Sequence, residues 1–181
     1  LDALKNTFTY TIFSVLIQMS MSILFAVWLK KATRVNNFLR TAMFTPHIIS
    51  LLSVAMVWVW LMDEKSGLLN MILNLMGLPP LRWLQSSDTA MMSLIIVSCW
   101  KSVGYNTMII YAALQAIPSD IYEAAELDNA GRLSAFFRIT FPMISPHAFL
   151  VLITMTIGSF RVFDTIRIMT NGGPGTSTQV L

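Results

Sequence analysis

The sequence predicts an all-α, polytopic membrane protein with four transmembrane helices and a polar hairpin between the third and the fourth. Three observations predict it. Hydrophobic residues make up 55% of the 181 and charged residues 12%, whereas a soluble domain is about a quarter charged. The mean hydropathy is +0.66. The few charges are gathered between long apolar stretches instead of being spread through them, so bilayer, not a soluble core, is the expected solvent.

A spanning helix needs roughly 20 apolar residues, because in hydrocarbon every backbone polar group must be satisfied within the segment. Four stretches meet that demand. Residues 7–29 carry no charge and are bracketed by Lys5 and by Lys30 and Lys31. Residues 41–62 are likewise uncharged, with Pro46 expected in the first turns, where a missing amide donor costs least. Residues 91–117 are interrupted near the middle by Lys101, Gly104 and Asn106. Residues 144–169 are apolar through Phe160 and then carry Arg161, Asp164 and Arg167, three apart and so along one side of a helix.

Loop charges set the orientation through the positive-inside rule. Lys30, Lys31, Arg34 and Arg40, with no acid among them, mark the 30–40 loop as cytoplasmic. Parity then puts the 63–90 loop outside and the 118–143 loop back in the cytoplasm, in agreement with Arg132 and Arg138. In the outer loop, Gly67, the apolar run 68–76 and the stop signals Gly77, Pro79 and Pro80 predict a short interfacial helix and a turn, with Trp83 at the headgroup level. Residues 171–178, NGGPGTST, read as a flexible loop.

The cytoplasmic hairpin, 123–142, is the polar anomaly in an apolar chain. Pro118, Ser119 and Asp120 supply a stop for one helix and a cap for the next, and Glu123, Glu126 and Asp128 follow where the helix dipole favours anions. Ala124 and Ala125 offer a small-residue face. Asn129, Ala130 and Gly131 break the helix, since Asn and Gly tolerate positive φ. A second short helix over 133–139 then presents Phe136, Phe137 and Ile139, and Pro142 is expected to end it.

Composition also excludes. The lone Cys99 rules out a disulfide framework or thiolate cluster within the chain, and reads as a small buried apolar side chain. A net charge of +3, with cations confined to loops, gives no basis for nucleic-acid binding. His47 and His147 each follow a proline near a span end and read as interfacial hydrogen-bonders; without a carboxylate-histidine motif no metal site is expected. The chain begins with Leu1 and shows no signal-peptide pattern, so its start is expected to be a cut through a longer protein.

Glu123-Ala124-Ala125, Asp128, Ala130, Phe136, Ile139 and Pro142 resemble the EAA loop of the permease subunits of binding-protein-dependent ATP-binding-cassette importers. Ala116-Ile117-Pro118 before the loop, Gly158-Ser159-Phe160 in the next helix and Thr170-Asn171-Gly172-Gly173-Pro174-Gly175 after it are similar to the carbohydrate-uptake branch, the maltose and glycerol-phosphate type. The likeness runs over essentially the whole chain, so 1–181 is expected to be one permease domain. Two positions depart from the pattern: Asn129 stands where the family usually has Gly, and Phe141 where it usually has Leu. Asn is the non-glycine residue best suited to a left-handed turn. Permeases of this branch usually have at least six core spans, which implies that the first and last lie outside this chain.

The resemblance implies that the EAA loop, 118–143, forms coupling helices that dock on a cytoplasmic ATPase dimer and transmit its ATP-driven closure to the spans. On that footing Glu123 makes an ionic contact to the ATPase, Ala124 and Ala125 pack closely against it, and Asp128, Asn129 and Gly131 shape the turn. Phe136, Phe137 and Ile139 either seat in the partner's groove or pack under their own bundle. The chain itself is then no enzyme and binds no cofactor, ATP being used by the partner; consistently, it has no G-x-x-x-x-G-K-[ST] phosphate loop. The other implied partners are a second, related permease chain, an extracellular or periplasmic solute-binding protein and membrane lipid, in a prokaryotic inner membrane. The alternative is a secondary transporter or channel acting without an ATPase, which predicts transport insensitive to changes at 123–142.

Polar residues within spans are costly and face a bundle interior or a water-filled cavity. That logic selects Lys101, Ser102, Tyr105 and Asn106 on the third span and Ser159, Arg161 and Asp164 on the fourth as a solute path. A sugar site wants hydrogen-bonding groups beside aromatic faces, which Tyr105, Phe160 and Phe163 supply. The competing readings are that Arg161, Asp164 and Arg167 neutralise one another at the outer interface, and that Lys101 snorkels or pairs between subunits.

Overall fold

The computed structural model describes residues 2–160 and 162–180, and among them all regular structure is helical. The first helix, α1 (Asp2–Trp28), is apolar outside and small or polar inside. Thr7, Thr11, Ser14, Gln18, Ser22 and Ala26 are buried, while Phe8, Ile12, Phe13, Leu16, Leu24 and Trp28 face outward. In lipid the outward face needs no protein partner, and small residues at i, i+4 let another backbone come close.

That partner is α5 (Ser87–Gln115), the central helix of the bundle, which packs against α1, α2 (Arg34–Ile48) and α8 (Phe141–Phe160). Two apolar clusters lie along it. One joins Tyr10, Val54, Leu94, Val97, Cys99 and Val103 with Val162, Ile166 and Met169. The other joins Val15, Ala26, Ile110, Leu114, Ile144 and Val151. The polar positions of α5 and α8 fall between them.

Two described helical runs are long and apolar enough to cross a membrane, Asp2–Trp28 and Arg132–Phe160, and α2 with α3 (Leu51–Leu61) passes together as a third, bent pair. At 29 residues α5 has the length but not the mean apolarity. Its polar residues are tolerated because helices on three sides, not lipid, surround it.

The segment expected as one span over 41–62 is broken. Thr33 caps α2, its Oγ1 accepting from the Asn36 amide at 3.2 Å, so the helix starts well before residue 41 and Pro46 falls in its last turn, not its first. The chain then bends by 102° into α3. Arg40, one of the cations read from sequence as loop charges, is buried: its guanidinium donates to the carbonyls of Leu29 (2.7 Å) and Lys31 (2.9 Å), closing the end of α1, and lies over the Tyr111 ring.

In the 63–90 loop, α4 (Leu68–Leu75) ends at Gly77, whose φ of 75° is the left-handed turn that glycine accepts without strain. Asn70 ties the loop together. Its amide donates to Glu64 O (3.0 Å) and Leu81 O (2.9 Å), and its Oδ1 accepts from the Leu81 amide and from Trp83 Nε1 at 2.9 Å. Trp83 is therefore half-buried against the first apolar cluster instead of standing free as a headgroup anchor. The amide and hydroxyl of Ser66 and the Lys65 amide hold the Asp63 carboxyl below its ordinary range.

Two further expectations change. The second helix of the hairpin does not end at Pro142: α7 (Arg132–Ala135), a π-helical turn (Phe136–Thr140) and α8 form one rod, Arg132–Phe160. The wide turn, closed by the Phe141 amide on Phe136 O, falls where the ring of Pro142 would meet the carbonyl four residues earlier. Pro146 is accommodated too, because Ser145 Oγ donates to the Pro142 carbonyl at 2.8 Å. The 144–169 span ends at Phe160 and resumes as α9 (Phe163–Met169), packed on α3. Finally, 171–178 is a folded loop. Asn171, Gly172 and Gly175 take positive φ, Thr178 is fully buried and donates to Gly173 O (2.7 Å), and Asn6 of α1 donates to Thr176 O (2.8 Å) and Gln179 O (3.1 Å).

Candidate functional site

Between the two apolar clusters lies a cavity of about 230 Å³, lined by Gln18 of α1, His47 of α2, Ser98, Ser102, Tyr105 and Asn106 of α5, and Thr154, Met155, Gly158 and Ser159 of α8. One water needs about 10–15 Å³ on this measure, so the space holds a small polar molecule. Its floor is a pair of buried amides, with Asn106 Nδ2 at 3.5 Å from Gln18 Oε1. At that distance the two amides keep capacity for a further partner. Its wall is aromatic: the His47 ring stacks on Tyr105 with centroids 4.3 Å apart and planes 9° from parallel, and Phe44 leans on both. Hydroxyls, amides and a stacked ring face are the groups that bind a polyhydroxylated ring.

Four residues selected from sequence, Ser102, Tyr105, Asn106 and Ser159, come together here. The others do not. Lys101 Nζ turns to the end of α2 and donates to the carbonyls of Ile49 (2.6 Å), Pro46 (3.2 Å) and His47 (3.4 Å). Phe160 packs edge-on to Phe8 with centroids 6.3 Å apart. Phe163 and Asp164 are exposed on α9, and the Arg167 guanidinium lies 5.8 Å from the Phe163 ring. Asp164 and Arg167 form no ion pair with each other; among the described residues the ion pair present is Arg82 with Glu64 at 2.9 Å. Arg161 lies outside the described residues. Sequence reasoning missed Gln18, an amide in an otherwise uncharged span, although a polar residue in such a span is the usual signal. It also placed His47 at an interface.

The hairpin starts at α6 (Ser119–Leu127), with Pro118 in the cap position and no side-chain cap, so Ser119 and Asp120 sit in the first turn. Asn129 ends it as expected from its φ of 54°. The Asn129 amide donates to Glu126 O at 3.0 Å and the Ala130 amide to Ala125 O at 2.9 Å, a Schellman closure. Gly131 has ordinary extended dihedrals and caps α7, so the turn rests on Asn129 and not on Gly131. Successive helical positions point about 100° apart, and this splits the small-residue face: Ala125 is buried within the chain, Glu123 and Ala124 are exposed. Tyr122, which sequence reasoning passed over, anchors the helix. Its hydroxyl is 3.0 Å from Thr140 Oγ1 on the rod, and Lys30 Nζ lies over its ring at 3.7 Å. Phe136 and Ile139 are half-buried, Phe136 edge-on to Phe137, and Asp128 and Pro142 are exposed. Three large apolar side chains of the hairpin are exposed as well: Leu127 at 89%, Leu133 at 77% and Phe137 at 64%.

Residues 18–181 match the family described as "Binding-protein-dependent transport system inner membrane component". Among curated proteins, the chain is similar to the probable ABC transporter permease protein YurN of Bacillus subtilis (strain 168), 38% identical over 99% of this chain and 63% of YurN. It is 34% identical to the trehalose/maltose transport system permease protein MalF of Thermococcus litoralis, over 95% of this chain and 58% of that protein. Among solved structures, a chain in the crystal structure of a bacterial alginate ABC transporter in complex with alginate pentasaccharide-bound periplasmic protein superposes with a TM-score of 0.88 at 27% identity, over 98% of this chain and 62% of that one. The chain thus spans about three fifths of the length of these relatives.

Proposed function

The chain belongs to the binding-protein-dependent transport system inner membrane component family, and from that premise we propose that it is a permease subunit of an ATP-driven importer, crossing a prokaryotic inner membrane several times. The cavity between α1, α5 and α8 is part of the path for a sugar or related polar solute. An external binding protein delivers the solute, a second permease chain completes the path, and ATP is hydrolysed on a separate cytoplasmic ATPase pair.

The observation that carries this reading is the hairpin. A polar, cytoplasmic turn that leaves Leu127, Leu133 and Phe137 exposed along with Glu123 and Ala124 offers both apolar and charged groups to a partner, and this supports a docking role. The relatives support a saccharide as the solute: one is a trehalose/maltose permease, another is part of a transporter of alginate. Force on the hairpin has a direct route to the cavity. Tyr122 and Thr140 fasten α6 to the rod Arg132–Phe160, and the far end of that rod carries Thr154, Gly158 and Ser159 of the cavity, roughly 20–30 Å from Thr140 at 1.5 Å per residue.

Glu123→Lys in the full-length subunit tests the reading. Because Glu123 is exposed, the variant should accumulate at normal levels, yet lose co-purification of the ATPase and uptake of the saccharide carried by its binding protein. If both persist at normal levels, the coupling role is wrong.

A further inference from the structure

The wall of the cavity that carries His47 is the carboxyl end of α2, and that end has no helix to continue it. The last carbonyls of a helix lack intrahelical amides, and here the chain bends by 102° instead of winding on. Lys101 fills the gap with its three N–H donors, on Ile49 O at 2.6 Å, Pro46 O at 3.2 Å and His47 O at 3.4 Å. On the same face of α5, three and four residues on, Gly104 lies against the Met43 backbone and Tyr105 stacks on His47 at 4.3 Å. We infer that Lys101 is a positioning residue of the solute path: its ammonium ties the end of α2 to α5 and thereby keeps His47 flat over Tyr105 at the cavity wall.

The inference rests on the reading of the cavity as a solute path, and it gives Lys101 a task other than meeting solute. With all three protons on backbone carbonyls, the ammonium is absent from the cavity lining. A methionine matches the lysine stem out to Cε and has no donor, so it leaves the α2 carbonyls without a partner. An arginine keeps charge and donors.

The test uses the full-length subunit in the assembled transporter, in membrane vesicles, with Cys99→Ala, any other cysteine removed, and Ser102→Cys as a reporter in the cavity. The probe is 2-aminoethyl methanethiosulfonate. Loss of a charge-assisted tie should free the wall, so Lys101→Met should raise the rate of modification about tenfold, while Lys101→Arg stays within about twofold of the parent. His47→Ala should raise the rate as much, and the double variant no further, because residues acting through one contact are not additive. If Lys101→Met fails to insert, Lys101→Leu, which likewise carries no donor, is read in its place. An unchanged rate, or an additive double variant, overturns the positioning role. The reaction needs neither solute nor ATPase, so this failure is separate from that of the solute path, which shows as normal saccharide uptake in both His47→Ala and Tyr105→Ala.

Discussion

Gly104→Ala should destabilise this protein, against the usual sign of that change in a helix. In the middle of a helix alanine is favoured over glycine by roughly 0.5–1 kcal/mol. At Gly104 the added Cβ runs into the carbonyl of Met43 and comes within 2.9 Å of the Phe44 amide nitrogen. Carbon contacts settle at about 3.5–4.0 Å, so α2 must withdraw by on the order of 1.5 Å. The obstruction is backbone, which no rotamer change relieves, and overpacking of this kind costs about 1–3 kcal/mol. Withdrawal on that scale also lengthens the three Lys101 bonds beyond hydrogen-bonding range, and charge-assisted bonds are worth about 1.5–3 kcal/mol. The propensity gain offsets only part of this.

Taking a net loss of about 3 kcal/mol, and about 2–4 °C per kcal/mol for a chain of this size, the transition falls by about 6–12 °C. Gly158 is the internal control. It also sits inside a long helix, with nothing within 4 Å of a Cβ placed there, so Gly158→Ala should gain up to about 1 kcal/mol, or about 2–4 °C. The assay is loss of the monodisperse peak in size-exclusion chromatography of heated samples of the assembled transporter. The order Gly158→Ala above parent above Gly104→Ala is expected. A Gly104→Ala transition at or above the parent's would mean that α2 and α5 do not meet backbone to backbone, and the Lys101 clamp would lose its frame.

Tyr122→Phe keeps the ring under Lys30 but removes the hydroxyl 3.0 Å from Thr140; at about 1 kcal/mol for such a bond, uptake per ATP hydrolysed should fall severalfold while co-purification of the ATPase is retained. Asn129 holds a φ of 54°, where a non-glycine residue costs of order 1–2 kcal/mol, so Asn129→Gly should leave uptake and co-purification near the parent's and Asn129→Val should diminish both, as read by the same pull-down.

How much of this was legible in the sequence depends on whether the relevant partner was local. The four long apolar stretches, the short helix after Gly67 and the left-handed turn at Asn129 follow from composition and neighbouring residues, and they appear as helices and a turn. The break of 41–62 does not follow from its own residues. It needs the start of α2 at Arg34, which moves Pro46 to the last turn, and Lys101, 55 residues from Pro46, to satisfy the carbonyls that the bend exposes. Likewise Pro142 is a stop signal by local rules, and the rod passes through it only because the turn before it widens. The folded 171–178 loop depends on Asn6, at the other end of the chain.

The cavity between α1, α5 and α8 illustrates the same limit from the other side. The rule that polar residues in spans face water or protein selected Lys101, Ser102, Tyr105 and Asn106 together, but it is silent on whether the neighbour of each is a cavity or another backbone. Positions 101, 102, 105 and 106 cover neighbouring faces of α5: Ser102, Tyr105 and Asn106 open on the cavity, whereas Lys101 meets the end of α2. Charge decides which role each can take. An ammonium within a span needs acceptors held in place, and the orphan carbonyls at a broken helix provide three; serine and asparagine carry both donors and acceptors and can line a cavity. A charged residue in a span is for that reason the one most readily consumed by the scaffold. The uncharged amide Gln18, in the quietest stretch of the sequence, faces the cavity instead, beside Asn106.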